Sequence, residues 1–91
     1  MVKIRHKHAW MAEAMQYSRQ EHLNEGNVPE GVTKNFRANE DGAMTERLPY
    51  VVDSRGRELQ LEDGDWVIRE ASGTFSVCPP DDFERIYEVI E

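Results

Sequence analysis

The chain has a single cysteine among its 91 residues, so Cys78 cannot close an internal disulfide, which agrees with a reducing compartment. Long apolar runs are missing as well. No stretch approaches the ~18 residues needed to cross a bilayer, and the lysines and histidines near Met1 do not make the apolar centre of a secretion signal. The expected location is therefore cytoplasmic, with no membrane partner. Aromatic residues make up only 9%. Trp10, Tyr17, Trp66, Phe75, Phe83 and Tyr87 are then mostly packing residues, each able to bury ~150–250 Å². Glycine-rich phosphate loops are also lacking, because Gly64-Asp65 has neither the spacing nor the following lysine that such loops need.

Charge is plentiful but uneven. Hydrophobic residues are 38% and charged residues 32% of the chain, the balance of one domain, residues 1–91, with a thin core. Residues 1–57 hold nine Lys/Arg and eight Asp/Glu, for +1, whereas residues 58–91 hold two and ten, for −8, giving the net −7. An anionic segment of this kind repels phosphate backbones, which argues against direct nucleic-acid binding, and attracts a basic protein surface. The same charge also serves solubility without any partner.

The stretch from Glu62 to Tyr87 is the most legible. Gly64-Asp65 predicts a turn and Trp66-Val67-Ile68 a strand; Ser72-Gly73 predicts a second turn, after which Thr74 to Cys78 alternates with Phe75 and Val77 on one face. Pro79-Pro80 stops that strand, since proline has no N–H for the ladder. Asp81 with Glu84 three residues on has capping-box spacing for a short helix, and Tyr87 to Glu91 reads as a last strand. Upstream, Tyr50-Val51-Val52, a Ser54-Arg55-Gly56 turn and Glu58 to Leu61 read as a hairpin, so the C-terminal half is expected to be a meander.

The N-terminal half is less even. Val2 to Lys7 alternates apolar and cationic residues, as an edge strand does. Ala9 to Tyr17 favours helix by composition, yet alternates as a strand would; the capping box Ser18 to Glu21 starts a helix at Arg19, which favours strand before it, and Asn24 and Gly26 can end that helix. Residues 27–47 lack steady periodicity and are expected to be a long loop or insert with one weak strand at Val32 to Phe36, shortened if Asp41-Gly42 makes a hairpin turn. The predicted class is α+β: a small antiparallel β-sheet or partly open barrel with one or two short helices.

No catalytic constellation emerges from these residues. Cys78 precedes two prolines with no orienting group marked beside it, and Asp81 and Asp82 are explained by the helix start they accompany. His6 and His8 share a strand face, but Cys78 and His22 stand at no recognisable metal-ligand spacing from them, so neither metal nor cofactor is expected. The candidate binding residues are Trp66, beside a turn, and the acidic set Glu62, Asp63, Asp65, Asp81, Asp82 and Glu84.

Both ends carry a pattern. Residues 2–17, VKIRHKHAWMAEAMQY, pair a basic strand with Glu13-Ala14-Met15-Gln16-Tyr17; residues 64–88 run Gly64-Asp65-Trp66, Ile68, then Gly73, Phe75, then Cys78, Pro80, Asp81, Phe83 and Tyr87. In order and separation this resembles small phage and prophage proteins related to the PGDYG type, over about 40 of the 91 residues. Asp63 stands where that group usually has proline, and residues 18–57 match none of the pattern. The resemblance implies a small phage-encoded β-rich protein and supplies no catalytic residues. The group has no established activity as a whole. Together with the −8 segment and the absent catalytic set, these phage-like ends lead to the expectation of a non-enzymatic accessory protein in the host cytoplasm that binds a host protein, for instance as an inhibitor. A second class stays open: a binder of a nucleotide-like signal using Trp66 and the arginines of the middle segment.

Overall fold

The computed structural model describes residues 2–6 and 11–90. Strand β1 (Val2–His6) pairs antiparallel with β2 (Met11–Gln16), placing Val2 opposite Ala14 and Ile4 opposite Ala12. The alanine-rich segment is thus a strand despite its helical composition. Its alternation puts Ala12 and Ala14 in the core and leaves Glu13 and Met15 less buried on the other face. Ser18 Oγ accepts the Glu21 N–H at 3.3 Å to start α1 (Arg19–Glu25), and Gly26, at φ 73°, ends it, as the local signals predict.

Residues 27–47 are mainly a hairpin, where the aperiodic sequence predicts a long loop. Strand β3 (Thr33–Ala38) runs antiparallel to β4 (Met44–Val52) through a turn in which the Gly42 N–H donates to Asn39 O at 2.9 Å. The weak strand expected at Val32 to Phe36 is β3, and the Asp41-Gly42 turn shortens the loop; burial explains why the strand signal is weak. Five of the six β3 residues are exposed, so the ladder forms without the apolar alternation that marks a strand in sequence. A side-chain bond from Asn35 Nδ2 to Leu48 O, 3.3 Å, reinforces it. Strand β5 (Glu58–Gln60) completes a three-stranded sheet in the order β3-β4-β5.

Strand β6 (Trp66–Glu70) pairs with β2 and with β7 (Phe75–Cys78); helix α2 (Pro80–Ile86) follows, then β8 (Tyr87–Val89), in a five-stranded sheet ordered β7-β6-β2-β1-β8. Three expectations are corrected here. Strand β1 is not an edge, because β8 returns from the far end of the chain and sets Val89 opposite Ile4. The C-terminal half is not one meander, because the chain leaves one sheet after β5 and enters the other at β6. Backbone bonds to Tyr17, from Gly64 N to Tyr17 O (2.9 Å) and from Tyr17 N to Asp65 O (2.8 Å), carry out that transfer. Helix α2 begins at Pro80 with Pro79 as its uncapped boundary, so Asp81 and Asp82 lie in the first turn and complement the helix dipole instead of capping.

The architecture is mixed α+β and mostly β: two antiparallel sheets that do not close into a barrel. Because side chains alternate along a strand, β6 and β7 serve two cores at once. Ile68 and Cys78 join Ile4, Ala12, Ala14 and Phe83 in one cluster, to which α2 contributes the phenylalanine. Val67 and Val77 turn the other way, toward Tyr17, Val51 and Leu61 and the three-stranded sheet. Gly31 makes that second contact possible: at φ 86° it lies so close to Phe75 that a Cβ would stand 2.5 Å from the ring.

Candidate functional site

A groove of about 550 Å³ opens where α2 and β8 meet the end of β6. Gln16 comes from β2, Trp66 from β6, Pro80, Phe83 and Glu84 from α2, and Tyr87 to Val89 from β8. Its wall is an aromatic stack. Trp66 lies nearly parallel to Phe83, with centroids 4.1 Å apart and planes at 10°, and Phe83 continues to Tyr87 at 5.5 Å and 30°. Phe83 and Tyr87 are four residues apart across the end of α2, and that helical spacing brings their rings onto one side. Phe83 is buried, whereas Trp66 and Tyr87 are half-buried and reach the groove. Gln16 is steadied by donating from Nε2 to Gly64 O at 3.0 Å.

Glu84 brings a carboxylate to the groove, whereas Glu88, which also borders it, has its carboxylate turned to Arg5, accepting from Nε at 2.7 Å. Burial raises the Tyr87 phenol above its ordinary value, with Cys78 and Glu70 adding to the rise, so it stays neutral at pH 7. Burial likewise raises the Cys78 thiol, helped by Asp82 and Asp65, which favours its neutral form.

Of the seven residues singled out in sequence, the structure brings Trp66 and Glu84 together in the groove. Two others have structural duties. Asp63 Oδ1 accepts the Arg19 N–H at 2.9 Å at the start of α1, and Asp65 Oδ2 accepts the Glu62 N–H at 2.9 Å within its own turn. Glu62 and Asp81 are exposed outside the groove lining, and Asp82 pairs with Arg85. Phe83 and Tyr87 were read as packing residues alone; their i, i+4 spacing was the available signal for a shared wall. The arginines of the middle segment do not line the groove.

A second polar cluster escaped sequence reasoning. Tyr17 Oη and His22 Nδ1 are hydrogen-bonded at 2.7 Å, His22 Nε2 meets the Glu46 carboxylate, and Arg19 Nη1 donates to Tyr17 Oη at 3.2 Å. Arg19 also donates to the carbonyls of Glu46 and Arg47, both at 3.3 Å. This phenol, imidazole and carboxylate chain has the residue types of a proton relay. Tyr17 and His22 are nevertheless 0% and 2% exposed, and the cluster ties α1 to β4. His22 has both ring nitrogens engaged and is no free metal ligand; His8 lies outside the described residues. Among the described residues, no group of three His, Cys, Asp or Glu side chains could hold a metal ion.

Another cavity, about 490 Å³, is lined by Lys3, Glu13, Arg69 and Glu70 among small residues. Arg69 there already bridges Glu13 at 2.7 Å and Glu30 at 2.8 Å, and it brings no aromatic wall. Among the described residues, no helix is long and apolar enough to cross a membrane. No known family model, curated protein or solved structure matches the chain.

Proposed function

We propose that this chain is a non-enzymatic binding protein, a phage accessory factor whose aromatic, acidic groove takes a basic segment of a host protein and thereby inhibits a host or defence factor. The observation that carries the reading is the stack of Trp66, Phe83 and Tyr87 with Glu84 along the same groove, in a segment of net charge −8. Lysine and arginine suit such a lining twice over: the ring faces attract the cation, for ~0.5–1 kcal/mol at an exposed site, and the carboxylates steer it in. The phage attribution rests on the sequence pattern at the two chain ends. The buried Cys78 thiol and the inaccessible Tyr17–His22 pair support a role without chemistry of its own.

The test is capture from host lysate on the immobilised chain, with the retained proteins identified by mass spectrometry. A specific partner is expected at low salt, eluted as salt rises, and absent from a Trp66→Ala, Glu84→Gln column. A partner retained equally by that column would reject the groove. For the alternative class, a flat thermal-shift profile against a panel of nucleotides is expected.

A further inference from the structure

We infer that the groove is the side-chain pocket of a strand-addition site: an extended partner segment adds to the open edge of β8 and lays a lysine or arginine against Trp66. The inference rests on the reading that the groove takes a basic segment, and it adds the backbone that recognises it.

Strand β8 ends the five-stranded sheet, with β1 on one side. The Ile90 N–H donates to Lys3 O at 3.2 Å. In an antiparallel ladder bonded and non-bonded pairs alternate, so Arg5 with Glu88 is the next bonded pair and Ile4 with Val89 lies between. The Val89 N–H and C=O therefore face away from β1, at a residue that is 51% exposed. The Tyr87 N–H is taken by Phe83 O at the end of α2, so the outward donor and acceptor of this edge are those of Val89, the pair an added strand bonds to.

Side-chain direction joins this edge to the groove. Tyr87 and Val89 are two apart in a strand and line the same groove. A residue on an added strand directly opposite Val89 points to that same face, with Cβ atoms ~5 Å apart. A lysine or arginine there reaches the aromatic wall and the Glu84 side of the groove. Among the described residues the sheets have four edges, and β7 and β5 bring no residue to the groove. Strand β3 carries Lys34, Arg37 and a bulge between Thr33 and Asn35, devices that discourage pairing, whereas β8 has neither lysine, arginine nor proline. A second copy of the chain is a poor occupant, since two β8 edges would bring together two segments of charge −8.

The experiment titrates the full chain at low salt with a capped peptide of about eight residues, threonine and valine with one central lysine, and with its glutamate counterpart. The lysine peptide is expected to shift and protect the Val89 amide in NMR spectra. Val89→Pro removes the outward N–H and leaves the bonds to β1, so affinity should fall at least about tenfold, and at least about threefold further than in Val89→Ala, which loses the same side chain but keeps the N–H. Protection of the Val89 amide in the unaltered chain is an independent reading if Val89→Pro folds poorly.

Binding that is lost in Trp66→Ala but leaves the Val89 amide unprotected overturns strand addition and spares the groove. No binding of the lysine peptide, or equal binding of the glutamate one, overturns both. Sedimentation of the unliganded chain as a dimer that Val89→Pro abolishes would make a second copy the occupant and overturn the inference as well.

Discussion

The two sheets are built from the same antiparallel ladder and held in different ways. In the five-stranded sheet β6 and β7 are covered on both faces, by α2 on one side and the three-stranded sheet on the other. In the three-stranded sheet β3 buries almost nothing, and β4 gives Pro49 and Val51 to the interior while Met44 and Val52 stay exposed. The difference teaches where the free energy comes from. Apolar burial, at ~25 cal/mol per Å², stabilises β6 and β7, whereas the β3–β4 ribbon relies on its turn and on polar bonds to α1. The groove belongs to the first region, and a rigid support suits a binding surface.

The largest expected effect separates the two regions directly. Ile68 is 1% exposed, and Ile68→Ala should cost ~2–5 kcal/mol in urea unfolding. Phe36 is 50% exposed on the ribbon, and Phe36→Ala should stay within ~0.5 kcal/mol. Equal costs would erase the contrast.

Of middle size is the polar tie. His22→Phe keeps an aromatic ring, slightly larger, but leaves Tyr17 Oη and the Glu46 carboxylate without their imidazole, for a loss of ~1–3 kcal/mol. Hydrogen exchange should sharpen the comparison: amides of the β3–β4 ladder should exchange faster in this variant, while those of β6 keep most of their protection. Faster exchange in both sheets alike would mean that the cluster supports the whole fold.

The smallest effect is electrostatic. Hydrogen bonding from Arg69, together with its charge, holds the Glu13 carboxyl below its ordinary value near 4.5. A depressed folded-state value contributes stability that is fully present above the unfolded pKa and is lost as pH falls through the folded one. The pair is exposed, so its share is small and weakens with salt. Following the Glu13 carboxyl by NMR, Arg69→Gln should move its midpoint upward toward the ordinary glutamate value. An unmoved midpoint would show that Arg69 does not hold Glu13 in solution.

Much of the local structure was legible because it depends on near neighbours. Ser18 and Gly26 bound α1, and Ser72-Gly73 separates β6 from β7, through backbone geometry that a few residues decide. The start of α2 was misread by two residues because Pro80 fits the first helical position as well as Asp81 fits a cap. Less of the groove could be read. Trp66 and Glu84 were singled out, whereas Phe83 and Tyr87 carry the ordinary marks of core residues until α2 and β8 place them beside Trp66.

By itself the sequence determined the class of fold, the turns, the alternation of β6 and β7 and the concentration of acid in the last third, because these follow from residue type and short spacing. Only the tertiary structure decided that β8 returns to cover β1, that residues 33–52 make a ribbon, that His22 is buried between Tyr17 and Glu46, and that an aromatic wall meets an open strand edge. Each of these joins residues far apart in the chain. Their pairing depends on which surfaces remain to be buried once the local elements exist, and no short window of residues carries that information.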